Sequence, residues 1–246
     1  MIHIFNGFTC NMRRPFKMKT GTVCTLVESD QGLILIDTGP GLEDYTHPHG
    51  LLRFYKTFFD TPCNIQEAAI NQVKRLGYRP QDVRHIVLTH MHFDHCGGLP
   101  DFPWAKVHVH RKEYEVFTSG FHGWKDAAYV QRHIARVPEW SFYATGCDKW
   151  YDFNAARLPF EPEMWLVELH GHSEGHCGVA VKTLDGWYFN AADSGAVYNN
   201  VTPAWLIKLV LGPYDPHLRR FMKLHPDIQL VNSHMRLDWF EKEKIA

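Results

Sequence analysis

"VLTHMHFDHCGG", residues 87–98, holds three imidazoles and one carboxylate within six positions: His90, His92, Asp94 and His95. They follow directly on an apolar run, "HIVLT", which has the character of a buried strand. Neutral imidazole and carboxylate are the usual ligands for zinc, iron or manganese at catalytic sites. A loop leaving a strand end can turn alternate side chains toward one point, so His90 and His92 can share one metal. Asp94 and His95 lie further round the same turn and can face a second. Gly97 and Gly98 are expected to let the backbone turn sharply behind them and open a helix.

One loop cannot complete two metal sites, so further ligands must come from elsewhere. "LHGHSEGHCG" offers His170, His172 and His176 after a strand, "FNAADSG" offers Asp193 at the end of an apolar strand, and "LVNSHM" offers His234. The surrounding elements repeat a layout. "TVCTLVES", the turn "DQG" and "LILIDTG" predict a hairpin, and "GVAVKT", "LDG" and "WYFNAADSG" predict another. Each hairpin ends in Asp-x-Gly. "NIQEAAINQVKRLGY" predicts a helix whose stripe is Ile65, Ala68, Ala69, Val73 and Leu76, with Gly77 as the stop. "AKVHVH" reads as a strand and "RKEYEVF" as the start of a helix. "DPHLRRFMKLH" reads as a helix, "DIQLVNSH" as a strand and "LDWFEKEK" as a terminal helix. Strands and helices mixed in this order predict an α/β layered sandwich. No linker-like or low-complexity stretch divides the chain, so residues 1–246 are expected to form one domain.

With 246 residues, 45% of them hydrophobic, the chain can bury a large core, and its net charge of −1 leaves no basic stripe for nucleic acid. "MIHIFNGFTCNMRRP" has no apolar run of signal-peptide length. "WLIKLVLG" is short and broken by Lys208, so no membrane span is expected. The six cysteines (Cys10, Cys24, Cys63, Cys96, Cys147 and Cys177) form no CxxC pair, which argues against a zinc-finger cage. They are read as reduced thiols in a cytoplasmic protein, with Cys96 and Cys177 as small packing residues. Of the 17 histidines, His3, His85, His133, His217 and His225 sit alone and are read as surface or packing residues. His108 and His110 fall on one face of a strand. His47 and His49 lie in a Pro/Gly loop that can approach a pocket.

Taken together, these marks resemble the metallo-β-lactamase-fold hydrolase superfamily. HxHxDH is present as His90-Met91-His92-Phe93-Asp94-His95. The family's "GHS/TxGH" loop is present as "GHSEGH", with His172 in the ligand place. Asp193 in "AADS", the strand-end His234 and the early "LIDTG" (Asp37, Gly39) follow the same order. The resemblance spans roughly residues 20–240. It implies an αββα four-layer sandwich with a two-metal site between its sheets. One metal would take His90, His92 and His172, and the other Asp94, His95 and His234. Asp193 and a hydroxide would bridge two divalent transition-metal ions, zinc first, with iron or manganese as alternatives. His176 would stand behind the ligands, Asp37 would support the loop, and Asp94 would handle the proton of the nucleophile.

Among branches of that superfamily, the chain looks most like N-acyl homoserine lactone lactonases, acting on a small-molecule substrate. The alternative is a glyoxalase-II-like thioesterase or another ester or phosphodiester hydrolase. Glyoxalase-II-type thioesterases share all seven ligands but add a C-terminal helical domain, and this sequence ends a dozen residues after His234. One departure from the lactonases is visible. Their tyrosine three residues after the bridging aspartate is Ala196 here, with Tyr198 two further on. The aromatic stretch 102–165 is expected mainly to cover the core, with Phe121 and Trp124 in "SGFHGW" lining a pocket. Two readings outside hydrolysis are a mononuclear iron oxygenase and a metal-stabilised binding protein without turnover. The first predicts one iron per chain, and the second predicts a missing ligand, which is not seen.

Overall fold

The computed structural model describes residues 1–12, 18–58, 61–120, 124–194 and 216–233. Among these residues two six-stranded sheets lie face to face. The first has the order β1-β2-β3-β4-β5-β6 and the second the order β12-β11-β10-β9-β8-β7. In chain order the first sheet comprises β1 (Ile2–Met12), β2 (Met18–Ser29), β3 (Gly32–Ile36), β4 (Val83–Val87), β5 (Lys106–His110) and β6 (Glu139–Tyr143). The second comprises β7 (Asp148–Trp150), β8 (Phe153–Leu158), β9 (Met164–Glu168), β10 (Cys177–Thr183), β11 (Gly186–Asn190) and β12 (Gln229–Val231).

The apolar runs explain the layering. A strand covered on both faces has no reason to alternate apolar with polar residues. In β3, "LILI", Leu33 and Leu35 pack outward against Ala69 and Val73. Those two belong to helix α3 (Ala69–Arg75). Ile34 and Ile36 face the other sheet and meet Leu166, Val179 and Val181. On the far side, Phe153, Ala180 and Phe189 are covered by Leu218 and Phe221, from helix α6 (Pro216–Leu224). Helix, sheet, sheet, helix is the αββα sandwich. Leu76, assigned above to the buried stripe of α3, is instead 36% exposed. The helix has ended by then, and Gly77 turns the chain at φ +89°.

The internal echo is real in the structure. The β2–β3 and β10–β11 hairpins are antiparallel, and each is followed by a parallel neighbour, β4 and β12. Both turns use the same hydroxyl–glycine device: Ser29 Oγ donates to Gly32 O at 2.6 Å and Thr183 Oγ1 to Gly186 O at 3.1 Å. Both glycines have positive φ. The acidic residues Asp37 and Asp193 follow the second strand of each hairpin. The carboxyl ends of β3, β4, β11 and β12 therefore open toward one seam, where α/β sheets assemble sites.

The remaining described helices are α1 (Leu42–Thr46), α2 (Gly50–Phe58), α4 (Phe93–Cys96) and α5 (Arg111–Thr118). Among the described residues no helix is long and apolar enough to cross a membrane. The expected terminal helix "LDWFEKEK" lies outside them.

Candidate metal centre

Asp37 leaves β3 with a positive φ of 55° and turns its buried carboxylate toward the histidine loop. Oδ1 accepts the Thr89 backbone N–H at 2.9 Å, and Oδ2 accepts the Thr89 hydroxyl at 2.7 Å. Oδ2 also takes the Nδ1–H of His95 at 2.9 Å. That bond fixes the tautomer of His95 and leaves Nε2 as its inward-facing lone pair. Burial raises the pKa of Asp37, while the His95 and Thr89 contacts oppose the rise.

Gly97 and Gly98 have ordinary helical φ values of −59° and −82°, so they are not needed for a sharp turn. Close packing requires them instead. A Cβ on Gly97 would lie 2.7 Å from Asp44 Oδ2 and 2.9 Å from Pro40 Cα. One on Gly98 would lie 2.9 Å from Thr38 Cβ. The loop after Asp37 thus seats directly on the helical turn carrying Asp94 and His95.

Ligand-type atoms of His90, His92 and His172 converge within 4.8 Å of one another, and so do those of His90, His95 and Asp193. Nε2 of His172 is 3.0 Å from Nδ1 of His92. Asp193 stands between the groups: Oδ1 is 3.2 Å from His95 Nε2, and Oδ2 is 3.4 Å from His172 Nε2 and 4.0 Å from His90 Nε2. Asp94 Oδ2 is 3.6 Å from His95 Nε2 and accepts the Thr22 hydroxyl at 3.1 Å.

The electrostatics suit a cation. His90 is fully buried and its Nε2 has no hydrogen-bond partner among the described residues, a costly state for a polar atom unless something else binds it. Burial, then the neighbouring His95 and His92, hold His90 well below the usual histidine value. Burial and His172 do the same for His92. Both are therefore neutral imidazoles, the form that binds metal. Burial alone would lower the pKa of His95 too, but Asp193, Asp94 and Asp37 outweigh it and raise it. The carboxylates that attract a proton to His95 attract a metal ion equally.

The other candidates separate cleanly. His176 Nδ1–H donates to Leu169 O at 2.8 Å, and Nε2 accepts the Asp193 backbone N–H at 3.1 Å, so both nitrogens are committed behind the cluster. His170 lies away from it, its Nδ1 3.6 Å from Glu168 Oε1. His47 and His49 are exposed. His108 bridges His85 and Tyr143 at 3.0 and 2.8 Å. His133 is not a lone residue: it is buried and 3.1 Å from Asp44, which also pairs with Arg132. Cys96 and Cys177 are fully buried thiols whose pKa burial pushes up, as expected of packing residues. His234, Ala196, Tyr198, Phe121 and the Trp124 side chain lie outside what the structure describes. The residue before His234 is pinned beside the cluster: Ser233 N–H donates to Ala192 O at 3.0 Å, and Ser233 O accepts Val23 N–H at 3.1 Å.

Sequence reading missed Glu113. It is fully buried near the start of α5, one turn before the equally buried Phe117. Its Oε1 accepts the Met91 backbone N–H at 2.9 Å and the Tyr129 hydroxyl at 3.1 Å. Its Oε2 accepts the Ser173 hydroxyl at 2.6 Å and the Gly175 backbone N–H at 3.1 Å. The signal in the sequence was slight: Glu113 and Phe117 share one face at helical spacing, which hints at burial but names no partner.

The model of the metallo-beta-lactamase superfamily matches residues 19–186, and the chain belongs to that superfamily. It is 35% identical over 172 residues to a probable metallo-hydrolase, Rv2300c, of Mycobacterium tuberculosis, covering 69% of this chain and 55% of that protein. It is 30% identical over 159 residues to the N-acyl homoserine lactonase AttM of Azorhizobium caulinodans, covering 64% and 58%. The chain thus spans a little over half the length of these curated relatives. Among solved structures, an N-acyl homoserine lactone hydrolase with the product N-hexanoyl-L-homoserine at its catalytic metal centre superposes with a TM-score of 0.69. That match is at 22% identity and covers 100% of this chain and 95% of that one. It shares the fold.

Proposed function

We propose that this chain is a metal-dependent hydrolase that opens lactone rings, with N-acyl homoserine lactones as the substrate class. The observation that carries the reading is the convergence of His90, His92, His172, His95 and Asp193 at one buried point. The lactonase relatives support it. His90, His92 and His172 would hold one divalent ion, and Asp94, His95 and His234 a second, with Asp193 offering one oxygen to each side. Two such ions, zinc foremost, lower the pKa of a bound water and polarise an ester carbonyl.

The chain's own residues supply the rest. Asp37 and His176 hold His95 and the Asp193 backbone in place. Asp94, its Oδ2 tied by Thr22, stands where it can take a proton and return it to the alcohol released when the acyl C–O bond breaks. Helix α2 presents Phe54 and Phe58 at 47% and 62% exposure, with ring centroids 4.7 Å apart. Tyr55 on the same helix packs against Phe93, beside Asp94. Exposed apolar rings on the helix whose Tyr55 packs beside Asp94 fit a substrate with an acyl chain.

The test is a hydrolase panel of lactones, thioesters, β-lactams and phosphodiesters, run beside metal quantification. Lactone opening with about two ions per chain is expected. Hydrolysis confined to thioesters would replace the lactonase reading. A fully loaded protein that turns over no ester would overturn the hydrolase reading as well.

A further inference from the structure

The two histidine loops come from different sheets, and little secondary structure joins them. The first runs from Thr89 to Cys96 after β4, and the second from His170 to His176 between β9 and β10. One direct backbone bond links them, Cys177 N–H to Thr89 O at 2.9 Å. Apart from the ligand-type histidines themselves, a further link among the described residues is a side chain, Glu113, whose two oxygens divide between the loops. Oε1 takes the N–H of Met91, the residue between His90 and His92. Oε2 takes the N–H of Gly175 and the hydroxyl of Ser173, the residue after His172.

Gly175 belongs to the same contact. A Cβ there would lie 2.6 Å from both Cα and Cβ of Glu113. Its φ is not among the positive ones, so glycine is required by the approach to α5 and not by backbone conformation. The "GHSEGH" loop is therefore seated on the first turn of α5, with the Glu113 carboxylate beneath it.

Resting on the metal-site reading above, we propose that Glu113 is a positioning residue that sets the spacing of His92 and His172 for their shared ion. It touches neither the reacting atoms nor a ligand nitrogen. It acts through the two backbones it holds, in the manner of the outer hydrogen bonds that orient metal ligands. The chemistry is specific to a carboxylate. Each loop presents a backbone N–H, which can only donate, so each needs its own acceptor oxygen. Glutamine has one carbonyl oxygen and one NH2. Whichever way its amide turns, one loop loses its acceptor and meets a donor instead.

The experiment titrates Zn2+ into metal-stripped protein against a chelating indicator and records the visible spectrum of the Co2+ form. Amide hydrogen exchange of the metal-free protein is measured alongside. The variants are Glu113→Gln, Ser173→Ala and Gly175→Ala. Gly175→Ala changes no polar group and only wedges the loop off α5. Glu113→Gln and Gly175→Ala are each expected to weaken one of the two bound ions by roughly ten- to a hundredfold and to alter the Co2+ spectrum. Exchange at Met91 or Gly175 should speed up, while the strand amides of β4 and β10 stay protected. Ser173→Ala, which leaves both backbone acceptors in place, should do less in the same direction.

Ser173→Ala also guards against misfolding of the other two. Folded Glu113→Gln and Gly175→Ala with unchanged affinity and spectrum overturn the proposal. Should both fail to fold, a folded Ser173→Ala that binds both ions and exchanges at Met91 and Gly175 as wild type does overturns it. Wild-type protein that takes up no Zn2+ overturns the metal-site reading itself, and the proposal with it. The wild-type titration separates these two failures.

Discussion

The backbone N–H of Asp193 ends on Nε2 of His176, 3.1 Å away, while the other nitrogen of that ring donates to Leu169 O. A histidine bonded at both nitrogens is no metal ligand, and burial holds its pKa down to about 3, so it stays neutral. It fixes where β11 delivers the Asp193 carboxylate. Replacing His176 by alanine should therefore leave the ligand set complete but loosely aimed. A fall in turnover of roughly ten- to a hundredfold is expected, with both ions still bound at saturating metal. Steady-state kinetics on metal-loaded protein checks this, and complete loss of one ion would show that His176 is a ligand after all.

Asp193 points one oxygen to each side of the cluster. Asp193→Ala should weaken both ions together, whereas His172→Ala should weaken mainly one. Metal content after graded chelator treatment distinguishes the two patterns. Small and equal losses from both substitutions would count against a shared carboxylate.

Asp94 separates ligand from catalyst. Asparagine keeps the shape and one oxygen but cannot take up a proton. Asp94→Asn is expected to fold and to lose at least about a hundredfold in turnover even with metal restored. Thr22→Val, which removes only the hydroxyl that holds Oδ2, should fall less. Near wild-type turnover by loaded Asp94→Asn would make this loop structural.

Asp101 gives a pH test away from the cluster. Burial raises its carboxyl to about 6 from 3.8, with Asp44 and Glu43 adding to the rise and the Leu42 N–H and His133 opposing it. The folded chain therefore binds a proton more tightly here than the unfolded chain does. Its contribution is fully present below about pH 4 and is lost as pH climbs through about 6. Asp101→Asn keeps an oxygen for Leu42 and removes the loss. Its Tm should exceed wild type by on the order of a few °C at pH 7.5 and match it at pH 4, measured on metal-stripped protein. A gain independent of pH would contradict this account.

Both hairpins and the histidine loop were legible because their signals are local. Apolar runs bounded by Ser29–Gly32 and Thr183–Gly186 leave little choice of structure, and four ligand-type groups in six positions have few other uses. β1 was missed because "IHIFNGFTCNM" mixes polar with apolar residues and its register against β2 shifts between Asn6 and Phe8. β6 was missed because every residue in it is at least partly exposed. Glu113 was missed for a different reason. A charged residue in "RKEYEVF" reads as a solvated helix face, and only the arrival of a loop from the other sheet turns it into a buried acceptor. Nothing within α5 announces that partner, which lies 60 residues further along the chain.

The paired hairpins also bear on how the molecule is made. Each zips between sequence neighbours, so either sheet can begin to form without the other. The histidine cluster cannot, because His90, His92 and His95 come from one sheet and His172 and Asp193 from the other, and the two histidine loops join where Cys177 N–H reaches Thr89 O. Metal capture is therefore predicted to belong to the closing step, after the folding barrier. Ions in the buffer should lengthen the lifetime of the native state and leave the refolding rate nearly untouched.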